Sequence, residues 1–287
     1  MRRIYWPLVL LLLTASCTSV QTNRKMPPPF QLTADEEKSV DRLLARWEQW
    51  NAGVKTFDCR FKRWTYDAVF GPPNQPRWVD LGQIKYAAPD HALYRVDTTE
   101  KDDKQLPIEV ARAEHWAFDG KSIFEVDSAR AKVVEFRLES KQVKFDTSGY
   151  VNGPLSFCFP GGFYVRILPF GPPPVPCPFG ANAHEIKERC YVREITPPAK
   201  RQEEIWLEAY PRTMPGIGGL FSKLQLIFRV SDMAPCAIKV VEPNGKDYIV
   251  YQFYDMAVNK PLTPEDPFHP PVPKGWRKIV EELPSGQ

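Results

Sequence analysis

One change of period governs what this chain can become. Between Val40 and Trp47 apolar residues recur at helical spacing, and from Phe57 onward they recur at every second residue. The helical segment opens on Thr33-Ala34-Asp35-Glu36, a capping box in which Thr33 and Glu36 satisfy each other's free backbone amides. Val40, Leu43, Leu44 and Trp47 form its apolar stripe, and Asp41, Arg42, Arg46 and Glu48 fill the other face. Gly53 is expected to end it in the left-handed conformation. In residues 57–66 the inward set is Phe57, Cys59 and Phe61, alternating with Asp58, Arg60 and Lys62. Residues 83–87 and 92–97 read as two strands about Ala88-Pro89-Asp90. A hairpin follows, with His115-Trp116-Ala117-Phe118 and 121–126 flanking Asp119-Gly120, a pair that predicts a type I′ turn. Residues 127–131 turn the chain again into a strand at 132–138. Further strands are expected at 203–210 and 220–229, and a second hairpin joins 237–242 to 247–253 about Pro243-Asn244-Gly245.

Strands that follow one another through tight turns pair antiparallel. The expected fold is therefore mainly β within the α+β class, a curved antiparallel sheet with the N-terminal helix laid across one face. The space beneath the helix is then either a filled core or an apolar cavity, and the pattern admits both. A cavity would suit acyl chains, since each buried methylene contributes roughly 0.8 kcal/mol.

Two stretches break the meander. Residues 153–179 are rich in Pro, Gly and Phe, and their prolines exclude a central strand. Such an insertion is a candidate surface for a protein partner. A short helix is expected over 181–190, and the tail at 260–287 is punctuated by proline.

The N-terminus reads as an address. Arg2 and Arg3 precede an apolar run at 4–13, too short to span a bilayer, and Thr14-Ala15-Ser16 leads into Cys17. Residues 1–16 are expected to be a signal peptide, with Cys17 a candidate for acylation as the mature N-terminus and 17–31 a flexible tether. The competing expectation is ordinary cleavage with Cys17 incidental. Thr18 is not the aspartate that often retains lipoproteins in the inner membrane, which favours an outer-membrane address on the periplasmic side. Loss of Arg2 and Arg3 lowers the formal charge from +3 to +1, leaving no electrostatic reason to bind nucleic acid. Export permits disulfides, and Cys158, Cys177 and Cys190 form the closest pool, with Cys59 and Cys236 elsewhere.

No catalytic set is coherent. There is no Gly-x-Ser-x-Gly elbow, no phosphate-binding glycine loop and no His-Glu-x-x-His helix. Cys177, His184 and Cys190 are spaced too widely for a standard zinc site. The expectation is a protein with no cofactor or metal that is not an enzyme.

The order of elements resembles the LolA/LolB lipoprotein-carrier superfamily. The resemblance rests on the capped helix, Val54-Lys55-Thr56-Phe57 entering the first strand, Asp119-Gly120-Lys121 between aromatic strands, Ile205-Trp206-Leu207-Glu208, and Glu242-Pro243-Asn244-Gly245. It covers residues 33–256, and in particular it looks like a phylum-restricted LolA-like domain family. It implies an incomplete β-barrel of about ten or eleven antiparallel strands, with helices as a lid over a hydrophobic cavity. The implied ligand is the acyl chain of a lipid or lipoprotein. By helix spacing and strand alternation the lining would then be Val40, Leu43, Leu44, Trp47, Phe57, Phe61, Phe118, Phe124 and Phe136. The arrangement is a single half-barrel domain over 32–287, with the insertion and the tail as additions. In the soluble carrier of the family an arginine precedes the proline and helps latch the lid; here that position is Ala88.

Overall fold

The computed structural model describes residues 26–89, 91–101, 104–109, 113–137, 183–212, 221–263 and 267–282. The expected export signal, Cys17 and the insertion at 153–179 lie outside these residues. The N-terminal helix α1 runs Ala34–Gly53. Its capping box is formed as the sequence requires: Glu36 N donates to Thr33 Oγ1 at 3.3 Å, and Thr33 N donates to Glu36 Oε2 at 2.7 Å. Its C-terminus departs from expectation. Gly53 is still helical, and the chain leaves through Val54 at φ −83°, with no left-handed residue. Asn259 takes over the capping, accepting from Lys55 N and donating to Gly53 O.

Thirteen strands form one sheet. They are β1 (Thr56–Tyr66), β2 (Trp78–Ala87), β3 (His91–Lys101), β4 (Lys104–Pro107), β5 (His115–Asp119), β6 (Ser122–Asp127), β7 (Lys132–Arg137), β8 (Cys190–Glu194), β9 (Glu204–Pro211), β10 (Lys223–Arg229), β11 (Pro235–Val241), β12 (Tyr248–Val258) and β13 (Arg277–Glu282). The spatial order is β13-β7-β6-β5-β3-β2-β1-β12-β11-β10-β9-β8, with β4 paired to β3 alone. The sheet is curved and does not close, so β8 and β13 are its two edges. A second helix, α2 (Ala183–Arg189), immediately precedes β8.

Neighbouring strands pair antiparallel throughout, except that β13 lies parallel to β7. The tail thus contributes a strand that the sequence reading lacked, as it lacked β4 and β8. Prolines at 267–273 keep the approach irregular, and pairing begins once they end. Glu135 of β7 fastens the joint, accepting from Arg137 Nε at 2.8 Å and pairing with Lys278 Nζ of β13 at 2.7 Å. Burial alone would raise the Glu135 pKa, but the two cations outweigh it and hold the carboxyl at about 2, below its ordinary 4.5. The folded group ionises more readily than the unfolded one. Its contribution is therefore complete above pH 4.5 and fades as pH falls towards 2. The amides of 278–282 are expected to lose hydrogen-exchange protection over that window, after correction for intrinsic rate. In Glu135→Gln the loss should be absent.

Both faces of the sheet carry apolar clusters. The inner face bears the larger, which includes Val40, Leu44 and Trp47 of α1 with Phe57, Phe61, Trp116, Phe118, Ile123, Val134 and Phe136. Gly82 lies directly under the Phe61 ring, where a Cβ would come within 2.4 Å of it. The outer face bears Leu93, Ala117, Phe124, Val133 and Phe268, with Leu262 and Trp276 packed against them. The tail is what buries that outer patch.

The β5–β6 hairpin turns on Gly120-Lys121. Gly120 has φ 83° and Lys121 has no positive φ, so the two loop residues are not both left-handed as a I′ turn requires. Asp119 instead accepts from Lys121 N and Ser122 N through its carboxylate. Residues 26–31, expected to belong to a flexible tether, are docked. Met26 N donates to Arg212 O at 2.7 Å, Tyr191 Oη donates to Met26 O at 2.9 Å, and the Arg193 guanidinium covers the Phe30 ring at 4.8 Å.

Candidate ligand seam beneath the N-terminal helix

The helix sits over the part of the inner face built by β8, β9 and β10. Trp47, with no exposed surface, packs its ring 5.0 Å from that of Phe228. Around it, alternation on β9 turns Leu207 and Ala209 inward, and on β10 it turns Leu224 and Leu226 inward. Ile186 of α2 with Cys190 and Val192 of β8 close the side. These seven residues, with Leu44 and Trp47, line a seam that contains no charged side chain. The cavity they enclose is about 10 Å³, the room of one water molecule. Ligand pockets run to about 300–1,000 Å³, so the seam is closed in this state.

What holds α1 along its flanks is different in kind. Ser39 Oγ donates to Glu194 Oε2 at 3.3 Å, Arg46 Nη2 to Val230 O at 3.0 Å and Lys187 Nζ to Asp41 Oδ1 at 2.6 Å. All three are solvent-exposed contacts, a class worth about 0–1 kcal/mol each for ion pairs. The underside grips by apolar contact, and the edges by bonds that water can replace.

Of the nine residues predicted to line a cavity, Leu44 and Trp47 line the seam. Val40, Phe57, Phe61, Phe118 and Phe136 are buried in the same inner cluster, and Leu43 is packed against it, partly buried. Phe124 is not among them. Phe118 pairs with Ile123, and Phe124 pairs with Ala117, which places Phe124 on the outer face beneath the tail. Six seam residues from β8 to β10, together with Ile186, were not anticipated.

A second feature of the inner face escaped the sequence reading altogether. Arg63 of β1 is buried and reaches three acceptors. Its Nη2 donates to Asp80 Oδ2 at 2.8 Å, and its Nη1 donates to Tyr94 Oη and Glu114 Oε2, both at 2.9 Å. Asp80 has no exposed surface. Burial opposes the Arg63 charge, but Tyr94, Glu114 and Tyr251 outweigh it and keep the guanidinium protonated, its pKa well above the ordinary value. Burial also raises the Tyr94 and Tyr251 phenols, against the pull of Arg63. The cluster is self-contained: its donors and acceptors are turned on one another, an arrangement that braces β1, β2, β3 and the approach to β5.

The cysteine pool also changes. Cys190 is a free thiol, buried in the seam, and burial pushes its pKa up to about 12, an inert state; Cys236 is also free. His184 is exposed and pairs with Glu188 at 3.2 Å. Cys158 and Cys177 lie outside the described residues. Among the described residues, no helix is long and apolar enough to cross a membrane.

The unclosed sheet with a helix seated on its inner face matches the half-barrel expected from the sequence, although it has thirteen strands and one is parallel. No protein-family model matches the chain, and no curated protein sequence matches it. Solved structures similar to it include an uncharacterized conserved protein from Thermus thermophilus, at 12% identity and a TM-score of 0.44 over 85% of this chain and 99% of that one. A LolA superfamily protein from Nitrosomonas europaea is similar at 10% identity and a TM-score of 0.34, over 80% and 97% of the two chains. The Mycobacterium tuberculosis lipoprotein LppX is similar at 9% identity and a TM-score of 0.37, over 79% and 98%.

Proposed function

We propose that this chain is an exported, membrane-anchored binding protein. It admits an acyl chain of a lipid or lipoprotein into the seam beneath α1 when that helix lifts. The observation that carries this reading is the seam itself: an all-apolar lining covered by one helix whose flanks are held by exposed polar contacts. Lifting α1 would uncover that lining, and an acyl chain would replace the helix stripe in kind. The anchor is Cys17, and the address is the periplasmic side of the outer membrane, both read from the first eighteen residues. A filled scaffold with no ligand is the second reading, favoured by the 10 Å³ volume of the closed seam.

A reversible lock separates the two. Ser39 and Glu194 side chains meet at 3.3 Å, so a short reducible bis-methanethiosulfonate bridging Ser39→Cys and Glu194→Cys ties α1 to β8. Uptake of a fluorescent fatty acid by the full-length protein is expected to fall at least about tenfold on bridging and to return on reduction. Equal uptake in both states would move the ligand out of the seam. No uptake in either state, with no lipid mass on the protein isolated from its host, would leave the filled scaffold.

A further inference from the structure

Exposed apolar side chains gather at one end of the sheet. Among the described residues six large hydrophobics are exposed, and four of them, Met26, Val69, Phe70 and Leu106, belong to that end. Strand pairing places them together. The end of β9 beside Met26 adjoins the start of β10, which pairs with the end of β11. From there pairing leads through the start of β12 to the end of β1 and its loop to β2. Leu106 lies on β4, opposite Thr99 near the end of β3.

The most exposed pair, Val69 at 75% and Phe70 at 76%, does not sit on a slack loop. Asp67 accepts from Val69 N and Phe70 N through Oδ1 and from Arg77 Nη1 through Oδ2, while Asp247 Oδ1 accepts from Ala68 N. Gly71 N donates to Asp67 O, and a Cβ on Gly71 would come within 2.5 Å of that oxygen. The loop is built to turn two apolar side chains outward. Its acids are committed inward, to these amides and to Arg77, and Glu100 nearby pairs with Lys62 at 2.6 Å. Lys101, Lys104 and Lys246 stand exposed at the same end, and Asp102 and Asp103 lie between the first two in sequence.

We propose that this end of the sheet is a membrane-contact face, with Val69 and Phe70 inserted at the headgroup–acyl boundary of a lipid bilayer and the three lysines among its anionic headgroups. The length and exit of the chain choose this occupant, and to that extent the inference rests on the anchored reading above. Residues 17–25 precede Met26, nine residues that reach at most about 30 Å. Met26 leaves the fold beside β9, four strand spacings from β1, or about 20 Å from the Val69 loop. A lipid on Cys17 therefore tethers the chain at this end and keeps the Val69 loop within reach of the bilayer. An apolar tip with basic neighbours is the chemistry such a surface takes up.

The test places a photoreactive benzoyl-phenylalanine at position 70 of the full chain, and a control at the exposed Ala199, in the turn between β8 and β9 at the other end. The protein is bound to vesicles of phosphatidylethanolamine and phosphatidylglycerol and irradiated. Adducts to lipid acyl chains at 70 and none at 199 are expected. Val69→Asp with Phe70→Asp should lower vesicle partition about tenfold or more relative to wild type carrying the same N-terminus. Absence of lipid adducts at 70 on vesicle-bound protein overturns the proposal. So do adducts to a protein in native membranes with none to lipid, which would make the face a protein-docking surface. The mass of the mature N-terminus is read in the same experiment. An unacylated Cys17 ends the anchored reading, whereas the lipid adduct at 70 stands or falls by itself.

Discussion

Arg63→Ala should lower the unfolding free energy by about 3–5 kcal/mol, because it takes the guanidinium away from a fully buried Asp80 carboxylate. Typical domains have about 5–15 kcal/mol in total, so the variant should unfold at markedly lower urea. The size of the effect comes from desolvation and not from the ion pair's own strength. Replacing Arg63 with Met, and Asp80 and Glu114 with Leu, removes the buried charges together and should recover most of the loss. Urea denaturation of the three proteins measures both steps. A cost below about 1 kcal/mol for Arg63→Ala would mean that water reaches Asp80 and that the brace is an exposed pair. The brace also bears on binding. None of its three charged residues lines the seam beneath α1, so the triple variant should keep the fatty-acid uptake of wild type.

The fold was legible where local chemistry and tertiary need coincide. The capping box at Thr33 and Glu36 and the stripe Val40, Leu44 and Trp47 predict a helix and the face it buries, and both are found. The strands of β1 to β3 and β9 to β12 follow the period of two. Failures cluster where that coincidence breaks. β4 is exposed along its whole length and has no apolar alternation to read. β13 pairs in parallel with a strand far away in sequence, so no turn announces it. Phe124 follows an inner-facing neighbour, Ile123, and both are large and apolar. Alternation fails there because the tail buries the outer face as thoroughly as α1 buries the inner one.

The site was half legible for a related reason. The helix stripe declares itself, but what lies beneath it is fixed by strand order, and the order places β8 to β10 under α1 rather than β5 to β7. The inward positions Leu207, Ala209, Leu224 and Leu226 were available from alternation within strands correctly placed at 203–210 and 220–229. Only their position under the helix was not. Arg63 could have been found. Phe57, Cys59 and Phe61 set the inward parity of β1, and the next inward position is a charged residue in a strand expected to be buried there. A charge at such a position demands buried partners, and Asp80, Tyr94 and Glu114 supply them.

Trp47→Ala is the second large effect and the one that tests mechanism. Removing an indole with no exposed surface from its packing against Phe228 should cost about 3–5 kcal/mol. Stability alone would not distinguish lid from core, since either reading predicts the loss. The distinction lies in what fills the space. If α1 is a lid over an acyl seam, the new cavity extends an all-apolar lining, and fatty acid should bind without the helix having to lift fully. Uptake should then rise, and ligand at about 100 times its Kd should restore about 2.7 kcal/mol. Thermal unfolding with and without fatty acid reads that recovery directly. If α1 is ordinary core, the variant loses the same stability and fatty acid restores none of it. The closed volume of the wild-type seam is then the permanent state of the protein, and its contacts lie on its surface.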